Sequence, residues 1–249
     1  MQENTTTPPR FARHPSSTEE GKRITGIVLS ISIVIVSIFV FYYAIAKPAY
    51  AAYLVSQGLR NPSSHLEERL AFFERAIALN TFVTPEAREL LAQFAVDVWT
   101  APLSAESRGR VVTLAAKELA AQVEMYSEDP RYLMRLGVLL NTYRQYAVAL
   151  PVLEQALALS PQKQPTLYEF GTSLLNLHRF DEAAEVFKRA ADLLPDDEDI
   201  ESKKLYAVAL IYADKNADAE TYIARIFGPD GLIDSRLADA YRYHGDTIT

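Results

Sequence analysis

The chain has 249 residues, is 49% hydrophobic with 9 Gly and no Cys, and carries a formal net charge of −7. This length allows one or two domains, and the composition excludes a wholly disordered chain, disulfides, thiolate metal sites and cysteine nucleophiles. Residues 1–23 hold four basic and three acidic side chains, which leaves 21 basic against 29 acidic in the remainder; nucleic acid is excluded as a default partner, because phosphate binding needs clustered positive charge.

Met1 to Glu20 is polar, rich in Thr, Ser and Pro, and without apolar periodicity. With Lys22 and Arg23, it reads as a disordered cytoplasmic tail over 1–23. Residues 24–46, ITGIVLSISIVIVSIFVFYYAIA, contain no charge. As a helix this run would be about 35 Å long, enough to cross a hydrocarbon core of about 30 Å. Tyr42 and Tyr43 stand near its C-terminal end, where amphipathic rings settle at the lipid boundary. A core helix and a cleaved signal peptide are the other two readings. Ala44-Ile45-Ala46 has the small-x-small form of a cleavage site, but the run exceeds the roughly 7–15 apolar residues of a signal core, and Pro48 hinders cleavage. Four basic residues precede the span and two, Lys47 and Arg60, follow it closely. The positive-inside rule then predicts a single-pass inner or plasma membrane protein, with its N-terminus cytoplasmic and its body outside the cytoplasm.

Residues 47–129 are expected to form degenerate helical repeats. A short helix opens at Pro48 and stops at Gly58, which permits a left-handed cap before Pro62. Ser63 or Ser64 caps the next helix, with Glu67 completing a capping box, and that helix runs to about Leu79. Thr84 is a natural N-cap with Pro85 behind it, opening a helix to about Val98 or Trp99. A long helix follows from about Ala105 to Tyr126, with Val111, Leu114, Ala115, Leu119 and Met125 on one side.

From Pro130 to Asp197 one 34-residue unit is written twice. Leu136-Gly137 recurs as Phe170-Gly171, Leu140 as Leu174, Ala149 as Ala183, Leu153 as Phe187, Ala156 as Ala190, Leu159 as Leu193 and Pro161 as Pro195. After a two-residue slip a third unit appears, with Tyr206-Ala207 and Ala219 in the matching places, ending at Gly228-Pro229-Asp230-Gly231. Leu237, Ala238 and Tyr241 start one further helix. The units are 130–163, 164–197 and 200–233, with a capping helix over 234–245. Small residues let paired helices approach, large ones fill the gaps, and pairs must stack because none buries its apolar face alone.

These residues resemble the tetratricopeptide repeat (TPR) family. The resemblance implies an all-α, right-handed α-solenoid of antiparallel helix pairs, acting as a scaffold for protein or peptide partners rather than as an enzyme. In that family the groove is lined mainly by first helices. Carried onto this chain, the partner-binding face comprises Arg131, Met134, Val138 and Thr142; Tyr168, Thr172 and Asn176; and Lys204, Val208 and Tyr212. The carboxylate clamp of one subgroup is not reproduced, since Met134, Val138, Tyr168 and Thr172 stand in its places. A narrower resemblance covers residues 24–249. A membrane span, a KP-containing helix, AIALNTF and then repeats look like the C-terminal tail of bacterial O-antigen ligase or polymerase-family membrane proteins. A detached tail of such a glycan enzyme is one alternative, and a self-assembling spacer in the bacterial envelope is another.

Chemistry leaves few traces. His14, His65, His178 and His244 form no ligand-spaced pair, and no HExxH, phosphate-binding loop, dinucleotide fingerprint or GxSxG occurs. The run Pro195-Asp196-Asp197-Glu198-Asp199 lacks the Gly and distal Glu of a calcium loop and reads as a solvated turn. No cofactor, metal or catalytic residue is expected. The implied role is a membrane-anchored scaffold outside the cytoplasm, with envelope assembly as its setting, a protein or peptide partner, the bilayer at residues 24–46, and self-association as a further option.

Overall fold

The computed structural model describes residues 17–60, 65–195, 198–228 and 234–247. The expectations for residues 1–16, for Pro62, Ser63 and Ser64, for Asp196-Asp197 and for Pro229-Asp230-Gly231 fall outside them. Every element among the described residues is a helix. The chain opens with α1 (Ser17–Phe41), passes through a π-helical turn (Tyr42–Ala46) and continues directly as α2 (Lys47–Arg60). Helical backbone thus begins inside the segment read as a disordered tail, and Pro48 lies within a continuous helix instead of opening a new one. Pro48 has no N–H for the carbonyl one turn back, and its ring crowds that carbonyl. The wider turn before it absorbs the defect: the Lys47 N–H bonds the carbonyl of Tyr42, five residues back. The apolar stretch of this helix is not buried against the rest of the protein, so it is not a core helix.

Beyond α2 come α3 (Leu66–Ala78), α4 (Thr84–Asp97) with a 3-10 turn (Val98–Thr100), and α5 (Ala105–Met125). The repeat region supplies α6 (Pro130–Thr142), α7 (Tyr146–Leu159), α8 (Gln164–Asn176) and α9 (Phe180–Ala191). The last elements are α10 (Ile200–Tyr212), α11 (Asn216–Phe227) and α12 (Ser235–Thr247). Packing is sequential. α2 pairs with α3, α4 with α5, α6 with α7, α8 with α9 and α10 with α11, and from α3 to α9 each second helix also packs on the next first helix. First helices touch along the stack, α2 on α4, α4 on α6, α6 on α8, and α10 on the closing α12.

Three glycines set the pair spacing. A Cβ on Gly171 would stand 2.8 Å from Phe187 Cε1, one on Gly137 would stand 2.5 Å from Leu153 Cγ, and one on Gly58 would stand 2.8 Å from Phe73 Cε2. Gly58 is therefore the close-approach residue of a first pair, α2 and α3, and not the left-handed helix end its sequence context suggests. That helix end is satisfied by Arg69, whose Nε and Nη2 donate to the carbonyls of Gly58 (2.8 Å) and Leu59 (3.0 Å). Phe73, Ala149, Leu153, Ala156, Ala183, Phe187, Ala190 and Ala219 are all fully buried. Two apolar clusters, one from Leu54 to Leu153 and one from Leu157 to Ala240, both pack against Phe170.

Side-chain caps open α5 and α6. Ser104 accepts from the Ser107 N–H and Asp129 from the Arg131 N–H. Thr84 does not cap. It is the first helical residue, behind Val83, and its hydroxyl accepts from the Thr81 N–H at 2.9 Å. Each turn inside the three C-terminal pairs is closed by one left-handed residue: Arg144, His178 and Asp214, at φ 58°, 59° and 59°.

Candidate functional site

The first helices α6 and α8 pack side by side, the first turn of α10 reaches Gln164 of α8 through Ser202, and the starts of α6 and α8 are set by short-range chemistry. Pro130 and Pro165 occupy first-turn positions, where a missing N–H costs nothing. Residues four apart then form rows along each helix. Met134 and Val138 on α6, Gln164 and Tyr168 on α8, and Ser202 on α10 face one cleft of about 260 Å³, completed by Pro165, Glu169 and Asp199.

The cleft is apolar on its α6 wall and polar elsewhere. Tyr168 is half-buried, and its ring meets Phe187 edge-on at 6.4 Å between centroids. Burial pushes its hydroxyl pKa up, and the carboxylates of Glu201 and Glu169 push the same way. Glu169 is itself raised by burial, partly offset by Asn141, whose Nδ2 donates to Glu169 Oε2 at 2.9 Å. Asn141 Oδ1 accepts from Ser173 Oγ at 2.7 Å, so a polar chain links α6 to α8 beneath the cleft. Gln164 Nε2 donates to Asp199 across to the start of α10. A partner here would meet a thioether, a branched methyl pair and a phenol, beside carboxylate and amide acceptors.

Of the ten residues that the repeat alignment assigned to this face, Met134, Val138 and Tyr168 come together in the cleft. Thr142 spends its hydroxyl on the Val138 carbonyl (2.9 Å), Asn176 its amide on the Thr172 carbonyl (2.9 Å), and Arg131 forks onto Asp129. Thr172 is half-buried beside them. The three assigned residues on α10 lie elsewhere. Val208 is only 2% exposed and is a core residue. Lys204 faces Asp234 at 3.7 Å, and Tyr212 stacks on Phe180 and meets Tyr243 edge-on. The reason is α12: a closing helix occupies the face that a following repeat would have covered. Leu237 and Ala240 seat it, and Arg236 ties it to Glu201 of α10.

Gln164, Pro165, Glu169, Asp199 and Ser202 also line the cleft and fall outside the ten positions given by repeat register. Gln164 is four residues before Tyr168, a signal that was legible. Glu169 and Pro165 belong to the adjacent row, and Asp199 and Ser202 enter only because the first turn of α10 is brought over α8. Among the described residues, no group of three His, Asp or Glu side chains is placed to hold a metal ion.

The tetratricopeptide repeat profile matches residues 142–204. No curated protein sequence matches the chain. Among solved structures, MamA from Desulfovibrio magneticus RS-1, from its residue 41 to the end, is 19% identical with a TM-score of 0.54, over 73% of this chain and 93% of that one. MamA AMB-1 is 18% identical with a TM-score of 0.54, over 78% of this chain and 97% of that one. MamA MSR-1 is 17% identical with a TM-score of 0.52, over 75% and 97%. At such identities the likeness is one of fold, a stack of antiparallel helix pairs. The repeat profile spans α7 to α9 and the first turn of α10, and the same helix pairing continues on both sides of it.

Proposed function

We propose that this chain is a membrane-anchored, non-enzymatic scaffold that holds a protein or peptide partner across α6, α8 and α10. The observation that carries this reading is the cleft itself. Met134, Val138 and Tyr168 line a space of about 260 Å³ that none of the described residues fills. Its acceptors, Glu169, Asp199 and the nearby Glu201, favour a partner segment that brings an apolar anchor and a donor or cation. The anchor reading rests on α1, which is apolar, uncharged from Ile24 to Ala46 and exposed along that length. Ala44-Ile45-Ala46 sits in helical backbone just before Pro48, which disfavours cleavage there. The four basic residues ahead of Ile24 favour a cytoplasmic N-terminus with the solenoid outside the cytoplasm.

The groove is tested by selecting peptides from a random library on the full chain in detergent micelles and measuring affinity by fluorescence anisotropy. Tyr168→Ala should weaken the selected peptides at least tenfold while the thermal midpoint by circular dichroism holds. Equal affinity would remove the groove. Orientation has its own test: an alkaline phosphatase fused to the C-terminus should be active in a bacterial host, whereas an active β-galactosidase fusion would reverse the topology.

A further inference from the structure

We infer that one edge of the solenoid, formed by the loops that lead from one helix pair to the next, lies on the surface of the bilayer that holds α1. The inference rests on the anchored reading above. Its starting point is the continuity of α1, the π turn and α2. The apolar run ends at Ala46 and α2 begins at Lys47, so the N-terminal end of α2 stands at the lipid boundary. With 14 residues, α2 extends about 21 Å from it. α3 runs back alongside with 13 residues, which returns the α3–α4 loop to the level of Lys47. Each later pair repeats the alternation. The α5–α6 and α7–α8 loops therefore share that edge, and the turns inside the pairs share the opposite one.

The chemistry of the two edges differs in the sense the geometry requires. Among the described residues outside the apolar helix, the most exposed large apolar side chain is Phe82, 76% exposed, in the α3–α4 loop. Residues 79–85 of that loop carry no charge. Met125 at the end of α5 and Tyr126 just beyond it are 60% and 46% exposed, ahead of Glu128 and Asp129, and Leu159 is exposed at the end of α7, four residues before Lys163. On α2 itself, within two turns of the boundary, Tyr50 and Tyr53 are exposed and stacked at 6.3 Å. Aromatic rings and a flexible thioether above a lipid surface are the interfacial set. The opposite turns instead present Arg144 and Gln145, His178 and Arg179, and Asp214 and Lys215 to solvent; Leu59 and Val148 stand there singly. The α9–α10 loop, flanked by exposed Leu193, Leu194 and Ile200, carries a wholly acidic sequence from 196 to 199 that is unsuited to an anionic headgroup layer. The contact thus covers the first three loops and lifts away toward α10, which leaves the cleft over Tyr168 open to a partner.

The absence of Cys makes the test direct. Single-cysteine variants of the full chain are nitroxide-labelled, placed in phosphatidylcholine–phosphatidylglycerol nanodiscs, and compared for accessibility to oxygen and to a nickel chelate. The sites are Ile33→Cys in α1, Phe82→Cys, Tyr126→Cys and Leu159→Cys on the proposed edge, and Arg144→Cys and Arg179→Cys on the other. Support is a label at 33 deep in the hydrocarbon, labels at 82, 126 and 159 at headgroup depth, and labels at 144 and 179 in water. Labels at 82 and 126 that match those at 144 and 179, with 33 in lipid, overturn the edge contact and leave the anchor standing. A label at 33 in water overturns the anchor and this inference with it. Shielding at 82 and 126 that persists in lipid-free detergent and grows with protein concentration would mean that a second copy covers the edge, and would also overturn it. Because labelling removes the apolar side chain it probes, the Leu159 label is repeated with Phe82→Asp and Tyr126→Asp. It should move toward water, and an unmoved label sinks the proposal.

Discussion

At the residue scale, two positions decide how tightly the repeat closes and how it responds to pH. Gly137 gives its helix no propensity, and Ala there gains about 1 kcal/mol on that count. The added methyl would nonetheless stand 2.5 Å from Leu153 Cγ and 3.1 Å from Cδ1, in a contact with no free space. Overpacking of this kind costs about 1–3 kcal/mol, so Gly137→Ala should be destabilising on balance. The diagnostic is a double-mutant cycle in urea. Leu153→Ala alone should cost about 2–5 kcal/mol, and Gly137→Ala should become neutral or stabilising in that background; additive effects would show that the two do not touch. Glu169 carries the pH argument. Burial raises its carboxyl above the ordinary 4.5, so the native state keeps a proton that the unfolded chain has released. The native state binds more protons, and stability from this group falls as pH rises from about 4.5 until the folded pKa is passed. Glu169→Gln keeps an acceptor for Asn141 and removes the ionisation. Urea midpoints measured from pH 4.5 to neutrality should fall more steeply in the parent than in the variant, and parallel curves would count against a buried carboxyl.

At the element scale, helix ends in this stack are held by long cations as much as by glycine. Lys203 is 1% exposed, and its Nζ donates to the carbonyls of Pro195 (2.6 Å), Glu198 (2.6 Å) and Leu194 (3.4 Å), behind the end of α9. Lys203→Met keeps the stem and strips three acceptors of their donor, at about 1–3 kcal/mol for each acceptor left dry. Hydrogen exchange should show the loss first in the α9–α10 joint, and unchanged protection there would argue that water replaces the ammonium. Nothing in the sequence announced this role, because a Lys flanked by Lys204 on a helix reads as a solvated face. The same limit explains Arg69 at the end of α2, which took the place that Gly58 seemed to fill. What was legible was periodic: the spacing of Gly137 and Gly171 and of their alanines states the pair geometry directly. What was not legible depended on which face the stack closes. Val208 and Tyr212 were assigned to the groove by register alone, and α12, packed on α10, removed them from it. Met134, Val138 and Tyr168 stay in the cleft because α8 and α10 follow α6, and no terminal helix overlies them.

At the scale of the whole molecule, the consequential feature is that the apolar helix and the first repeat share one backbone. A flexible linker would let the solenoid tumble above a membrane. Here α2 is clamped on α3 through Gly58 and Phe73, and it is also the direct continuation of α1, so the orientation of the solenoid follows that of α1. The π turn at Tyr42–Ala46 is the softest point in that joint, since its hydrogen bonds are wider and Pro48 removes another. Pulsed dipolar spectroscopy between nitroxides introduced by Ile33→Cys and Arg179→Cys, in nanodiscs, should give one narrow distance distribution. Inserting Gly-Ser-Gly-Ser between Ala46 and Lys47 should broaden it severalfold, because a linker of about four flexible residues places the ends about 10–12 Å apart in random directions. The thermal midpoint of the solenoid should stay the same, since the insertion lies outside the α2–α3 contact. A broad distribution already present in the parent would mean that the π turn acts as a hinge and that the solenoid does not inherit the direction of α1.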